Sequence, residues 1–160
     1  MANALFVGSF DPFTSGHLDT VARATKIFDK VIVGVATNTN KTSLFSAEEK
    51  VQLIEENVTR FDNVEVINHS EGLTIDLARK IDANVLLRGV RSVKDYEYEV
   101  DIAGMNRHQA PEIETLLMQS NEDYTFVSSS IIKETAKYGG NIKELVPENV
   151  ERALKEKFNN

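Results

Sequence analysis

The chain has no cysteine, no tryptophan and only three prolines in 160 residues. Without cysteine there is no disulfide scaffold, no thiolate nucleophile and no Cys-type zinc site. Long apolar runs are also missing, and none approaches the ~18 residues needed to span a bilayer. Positive charge is in deficit: 18 Lys and Arg against 25 Asp and Glu give a formal net charge of -7. That balance argues against non-specific nucleic-acid binding, which runs on phosphate neutralisation. Met1 to Phe6 shows no basic stretch followed by an apolar core, so no secretory signal is expected and the cytoplasm is the expected compartment. What remains is 41% hydrophobic and 27% charged, the balance of a globular chain. Its length suits one domain, residues 1–160, with a proper core.

Short apolar runs alternate with amphipathic segments. Leu5-Phe6-Val7 reads as a strand, and His17 to Phe28 has apolar residues at mostly helical spacing. Val31 to Ala36 is a β-branched run of the kind found in strands covered on both faces. Ser46 and Glu49 form a capping box, predicting a helix to about Phe61. Val64 to Ile67 reads as a strand, Thr74 to Ile81 as a helix, and Asn84 to Leu87 as a strand ending at Arg88-Gly89. Val93 to His108 reads as a helix with Tyr98, Ile102 and Met105 on one face. A strand is expected around Glu114 to Met118 and a short extended piece at Thr125-Phe126-Val127. Ser129 to Tyr138 reads as a helix stopped by Gly139-Gly140, and Pro147 opens a last helix through Phe158. This alternation predicts an α/β fold, a doubly wound, mainly parallel five-stranded sheet. In such folds ligands bind beyond the C-terminal ends of the strands, so chemistry is sought in those loops.

The first such loop, Gly8 to His17, joins a buried strand to a helix N-terminus that favours an anion. It has neither P-loop nor Gly-x-Gly-x-x-Gly spacing. The plain alternative is a turn with Thr14 or Ser15 as N-cap. His17 sits just inside the helix, where extra positive charge is disfavoured, and donation to a phosphate oxygen would explain it. A structural histidine is the competing reading. Lys41 follows the second strand, and Arg88 and Arg91 flank the end of the fourth. Two guanidiniums around a glycine suit bidentate phosphate binding; solvated surface charge is the alternative. Glu99 and Asn106, seven apart, share a helix face and are placed to hydrogen-bond one ligand. Ser128-Ser129-Ser130 reads either as an N-cap with two spare serines or as a second phosphate cradle.

At these residues the sequence resembles a known family. Gly8 to His17 resembles the first motif of the nucleotidyltransferase superfamily, His/Thr-x-Gly-His. Val127-Ser128-Ser129-Ser130-Ile131-Ile132-Lys133 resembles the second, Ile-Ser-Ser-Thr/Ser-x-x-Arg/Lys. Thr14, Arg88-Gly89-Val90-Arg91 and Asp95-Tyr96-Glu97-Tyr98-Glu99 narrow the likeness to the bacterial-type phosphopantetheine adenylyltransferase family, over nearly the whole chain. Ser9 stands where many members have Thr, and Lys133 replaces an Arg common elsewhere in the superfamily.

The resemblance implies a Rossmann-like nucleotidyltransferase fold and transfer of AMP from ATP to 4'-phosphopantetheine, giving dephospho-CoA and pyrophosphate, with Mg2+ assisting. Ser9, Lys41, Thr74 and Arg88 would contact phosphopantetheine. Ser9, Phe10, His17, Gly89, Val90, Arg91, Glu99 and the stretch Tyr124, Thr125, Phe126, Val127, Ser128, Ser129 and Ser130 would contact ATP. His17, Lys41 and Arg91 would carry catalysis, with no residue of the chain assigned to metal. The resemblance also implies a homohexamer and coenzyme A as a feedback inhibitor, with no nucleic-acid or membrane partner. Competing readings are another superfamily enzyme, such as a nicotinamide-nucleotide adenylyltransferase or a cytidylyltransferase, and a non-catalytic nucleotide-binding module.

Overall fold

The computed structural model describes residues 1–37 and 40–159. Its elements run β1 (Asn3–Gly8), α1 (Ser15–Ala24), β2 (Lys30–Ala36), α2 (Ala47–Val58), β3 (Val64–His69), α3 (Thr74–Lys80), β4 (Val85–Val90), α4 (Val93–Gln109), β5 (Glu114–Gln119), α5 (Ser129–Lys137) and α6 (Glu148–Phe158). The five strands form one sheet in the order β3-β2-β1-β4-β5, and every neighbouring pair is parallel.

The continuous apolar runs are explained by burial on both sheet faces. In β1, Ala4 and Phe6 enter one core cluster with Val31, Val33, Val35 and Ile54. Leu5 and Val7 enter the opposite one with Ile32, Ile75 and Leu86. Alternate residues of a strand point to opposite faces, so both parities must be apolar. Each fully buried Leu, Ile or Val contributes roughly 1.5–3 kcal/mol. A third cluster joins α5, α6 and Phe45.

The expected elements are present, with shifted ends. Thr14 caps α1, which starts before His17 and ends at Ala24, because the Asn63 side chain takes the carbonyls of Thr25 and Phe28 and holds that segment out of the helix. The capping box of Ser46 and Glu49 starts α2, which stops at Val58. Thr125-Phe126-Val127 does not form a strand. A 3-10 turn spans Glu122–Tyr124, and Thr125 continues it with right-handed helical angles. Acidic Glu122 and Asp123 behind an Asn121 side-chain cap favour that turn over a strand. Helix α4 buries only Glu99. Tyr98 and Met105 of its apolar stripe stay more than half exposed, as do Val93 and Tyr96 elsewhere on the helix. No helix among the described residues is long and apolar enough to cross a membrane.

The chain winds outward from β1 through β2 to β3, then crosses to β4 on the other side of β1. The loops after β1 and β4 therefore part at this reversal, where an open α/β sheet offers a crevice.

Candidate active site

A cleft of about 280 Å3 opens there, lined among others by Gly8, Ser9, Phe10, His17, Arg88 and Arg91. Gly16, Gly89, Ser120, Tyr124, Val127, Ser128 and Ser129 complete its far side.

His17 is the third residue of α1 and closes a capping box with Thr14. The Thr14 N–H donates to His17 Nδ1 at 3.0 Å, and the His17 N–H donates to Thr14 Oγ1 at 3.3 Å. Both readings of this loop, cap and functional histidine, thus apply to the same pair. An Nδ1 that accepts from a backbone amide must carry a lone pair, so the proton resides on Nε2. Among the described residues no acceptor takes that proton, which leaves Nε2–H as a donor facing the cleft.

Aromatic rings hold the imidazole in place. Phe10 meets it edge-on at 5.0 Å, Phe13 stacks on it at 5.6 Å and Phe6 lies 6.3 Å away. Phe10 reaches this position with φ of 44°, a strained value for a bulky residue. Gly8 permits it, because a Cβ at that position would come within 2.9 Å of the Phe10 ring. Burial among these rings, then Arg91, then Arg88, pushes the His17 pKa down from 6.5 to about 4. The native state therefore binds fewer protons than the unfolded chain between these values. The resulting stability is present above pH 6.5 and is lost as pH falls from 6.5 towards 4; it amounts to about 3 kcal/mol at most. We expect the His17 ring, followed by NMR without ligand, to stay neutral through pH 5.5. A midpoint near 6.5 would contradict the aromatic enclosure.

The other donors are accounted for bond by bond. Of the first amides of α1, Ser15 N–H goes to Leu145 O and His17 N–H to Thr14, which leaves that of Gly16 for the cleft. Arg88 gives Nε and Nη2 to the carboxylate of Glu99, both at 2.8 Å, and Nη1 to Val7 O at 2.7 Å. Three of its five N–H groups are spent, and two remain for a ligand. Arg91 gives Nη1 to Val127 O at 3.3 Å and pairs with Asp95 at 3.4 Å. Ser128 caps α5 by accepting from Ile131 N–H, and Ser129 Oγ donates to Pro12 O at 2.8 Å. Ser129 therefore ties the two loops together, Ser128 is spent on its own helix cap, and Ser130 is exposed.

The remaining expected residues fall outside the cleft lining. Glu99 is buried on α4 with its carboxylate committed to Arg88. Val90 ends β4. Thr125 and Phe126 lie in the turn before α5, Phe126 at 60% exposure. Thr74 is the first residue of α3. Lys41 is exposed and lines a neighbouring depression with Thr37, Ser43 and Lys50. The loop between β2 and Lys41 includes residues 38 and 39, which lie outside the described residues.

Sequence reasoning missed Thr20 and Ser120, which line the cleft. Ser120 directly follows β5, so the strand-end rule could have found it. Thr20 lies three residues after His17, on the same helix face. The pairing of Asp11 with Lys133, at 3.0 Å, left no sequence signal, because the two are 122 positions apart. Among the described residues no group of three or more His, Asp or Glu is placed to hold a metal ion.

A neutral N–H donor between two arginines, with helix N-termini on two sides, binds anionic oxygens and neither donates nor removes a proton readily. The solved structures this chain is similar to include a bifunctional NMN adenylyltransferase/ADP ribose pyrophosphatase from Francisella tularensis, complexed with AMP and a Mn ion. The TM-score is 0.72 at 17% identity, over 99% of this chain and 49% of that one. This chain thus spans about half the length of the Francisella protein. They also include a Vibrio parahaemolyticus protein assigned as a nicotinate-nucleotide adenylyltransferase, with a TM-score of 0.73 at 17% identity over 99% of this chain and 95% of that one. At such identity the likeness is one of fold. The match to the cytidylyltransferase-like family covers residues 5–135, the Gly8–His17 loop and the serine loop included; the chain belongs to that family, within the nucleotidyltransferase superfamily.

Proposed function

We propose that the chain is a single nucleotidyltransferase domain that transfers the adenylyl group of ATP to 4'-phosphopantetheine. The observation that carries this reading is the neutral His17 whose Nε2–H faces a cleft flanked by Arg88 and Arg91. An oxygen of the acceptor phosphate attacks the α-phosphorus of ATP, the bond to the bridging oxygen breaks, and pyrophosphate leaves. The acceptor is a phosphate monoester with a second pKa of about 6, already mostly dianionic at neutral pH. No general base is required, and the enzyme's task is positioning and charge stabilisation.

Each side chain has a part in that task. His17 Nε2–H donates to the α-phosphate oxygen on which charge builds. Arg91, with the amides at the start of α5, holds the departing pyrophosphate. The two free N–H groups of Arg88 and the ammonium of Lys41 hold the acceptor phosphate. Ser9 serves both sides, and Thr74 lies on the acceptor side. Gly89, Val90, Tyr124, Thr125, Phe126, Val127 and Ser130 border the nucleotide. Glu99 serves the site through Arg88. Mg2+ brought in with the nucleotide would offset triphosphate charge; among the described residues no carboxylate set is placed to hold it.

The phosphopantetheine assignment rests on Thr14, on Arg88-Gly89-Val90-Arg91 and on Asp95 to Glu99. The fold is shared with proteins named for nicotinamide and nicotinate nucleotides, so the test offers all three acceptors. Pyrophosphate release from ATP is measured with 4'-phosphopantetheine, nicotinamide mononucleotide and nicotinate mononucleotide in turn. Release with phosphopantetheine alone is expected. Release only with a mononucleotide would overturn the assignment.

The same reading carries a cytoplasmic enzyme that coenzyme A inhibits and that assembles as a homohexamer. The exposed Tyr98 and Met105 of α4 supply apolar surface for such an assembly. Light scattering at physiological salt should give about six times 17.9 kDa. A mass of one chain would reject the assembly.

A further inference from the structure

Helix α2 turns one stripe inward: Lys50, Ile54 and Val58. Ile54 and Val58 are what a core-facing stripe requires. Lys50 is not, yet it is only 3% exposed. Its Nζ donates to Ser43 Oγ at 3.0 Å. The charges acting on it are Asp11, which favours the ammonium, and Lys133, which opposes it. One carboxylate thus faces two ammonium groups. Burial first, and Lys133 in addition, hold the Lys50 pKa below the ordinary lysine value. A methionine would complete the stripe with no charge to desolvate. A lysine kept where the helix pattern asks for an apolar residue breaks a local rule, and such breaks concentrate at functional sites.

The surroundings say what that function is. Asp11 is 5% exposed. Its Oδ1 accepts from Phe45 N–H at 3.0 Å. Its Oδ2 accepts from Leu44 N–H at 2.9 Å and from Lys133 Nζ at 3.0 Å. Three successive residues are therefore fastened, Ser43 by Lys50 and Leu44 and Phe45 by Asp11. Asp11 itself belongs to the loop that leads into His17, and Lys133 to the helix behind the serine loop. Lys41 stands two residues before Ser43 and shares its depression with Ser43 and Lys50.

We propose that Lys50 is a positioning residue: with Ser43 and the Asp11–Lys133 pair, it fixes the Lys41 segment against the His17 loop and so sets where the acceptor phosphate is held. The acceptor role of Lys41 rests on the function proposed above. The fastening of the segment does not.

The test uses the full chain with Lys50→Met and, separately, Ser43→Ala, which cuts the same link without altering α2. Amide hydrogen exchange is read without substrate. Protection at Leu44 and Phe45 is expected to fall about tenfold or more in both variants, with β1 and β2 unchanged. Lys50→Met should unfold at a temperature equal to or above that of the wild type, because it removes the surplus buried cation. Steady-state kinetics with the acceptor that the wild type uses should then show KM for that acceptor raised about tenfold or more, with KM for ATP changed less than twofold. Unchanged protection at Leu44 and Phe45, protection lost evenly across the sheet, or equal loss for both substrates would overturn the proposal. Absence of transfer by the wild type with every acceptor would refute the proposed function, and the exchange arm would still decide the positioning role.

Discussion

Replacing His17 with alanine is expected to leave the fold intact and to lower turnover by ~100- to 1,000-fold, the usual cost of losing one transition-state donor. The donor is specified by bonds on the opposite edge of its ring. The Thr14 N–H occupies Nδ1 at 3.0 Å and thereby leaves the proton on Nε2, and the three phenylalanines fix the direction in which it points. The substitution also deprives Thr14 N–H of its acceptor and opens half of a capping box, at a cost of ~1 kcal/mol. Stability should thus fall slightly while kcat falls by orders of magnitude. Turnover within a few-fold of the wild type would remove His17 from the mechanism. Binding of ATP, measured by calorimetry, should weaken far less than kcat, because the bond matters most when charge develops on the α-phosphate.

Arg88→Ala is the second large effect, and it differs in kind from Arg91→Ala. Arg88 neutralises Glu99, whose side chain is 8% exposed. Its removal strands a buried carboxylate. Arg88 itself is partly exposed, so the expected loss of stability is ~3 kcal/mol, the low end for breaking a buried pair. Acceptor binding should be lost as well. Arg91 pairs with the half-buried Asp95 at 3.4 Å and gives one N–H to Val127 O, and its loss should cost under ~1 kcal/mol of stability while weakening ATP more than the acceptor. Lys41→Ala should weaken the acceptor with no measurable loss of stability, because Lys41 is exposed. Denaturant unfolding and calorimetry with each ligand separate these outcomes. Equal losses for both ligands in all three variants would count against two subsites. A double variant, Arg88→Met with Glu99→Met, should regain most of the lost stability but not the acceptor binding, which separates the structural part of Arg88 from its ligand part.

The alternation of apolar runs with amphipathic segments determined the parallel sheet and its flanking helices. Both parities of β1 and β2 are apolar, and only a sheet covered on both faces buries both. Capping at Ser46 and Glu49 and at Thr14 was equally local, because a capping box spans four residues. The loops that line the cleft were legible for a related reason: in this topology strand C-termini converge, so Ser9, His17, Arg88 and Arg91 meet whatever the loop details. Local sequence also misled at Thr125 to Val127, where the Asn121-capped 3-10 turn over Glu122–Tyr124 runs on into a turn at Thr125 and Phe126 and no strand forms.

Tertiary structure alone decided which partner each charge takes. Glu99 and Asn106 share a helix face, and from that spacing both pointed to one ligand. In the fold Glu99 faces Arg88, 11 positions earlier, and is spent there. Asp11 reaches Leu44 and Phe45 across more than 30 positions and Lys133 across 122. Spacing places Lys50 on the stripe of Ile54 and Val58, but only the fold decides that its ammonium is buried there rather than carried out to solvent. Periodicity and capping act over a few residues, and a sequence displays them directly. Ion pairing and desolvation depend on distances that exist only once the sheet has closed, so the buried lysine, the committed carboxylates and the proton on Nε2 are properties of the folded chain.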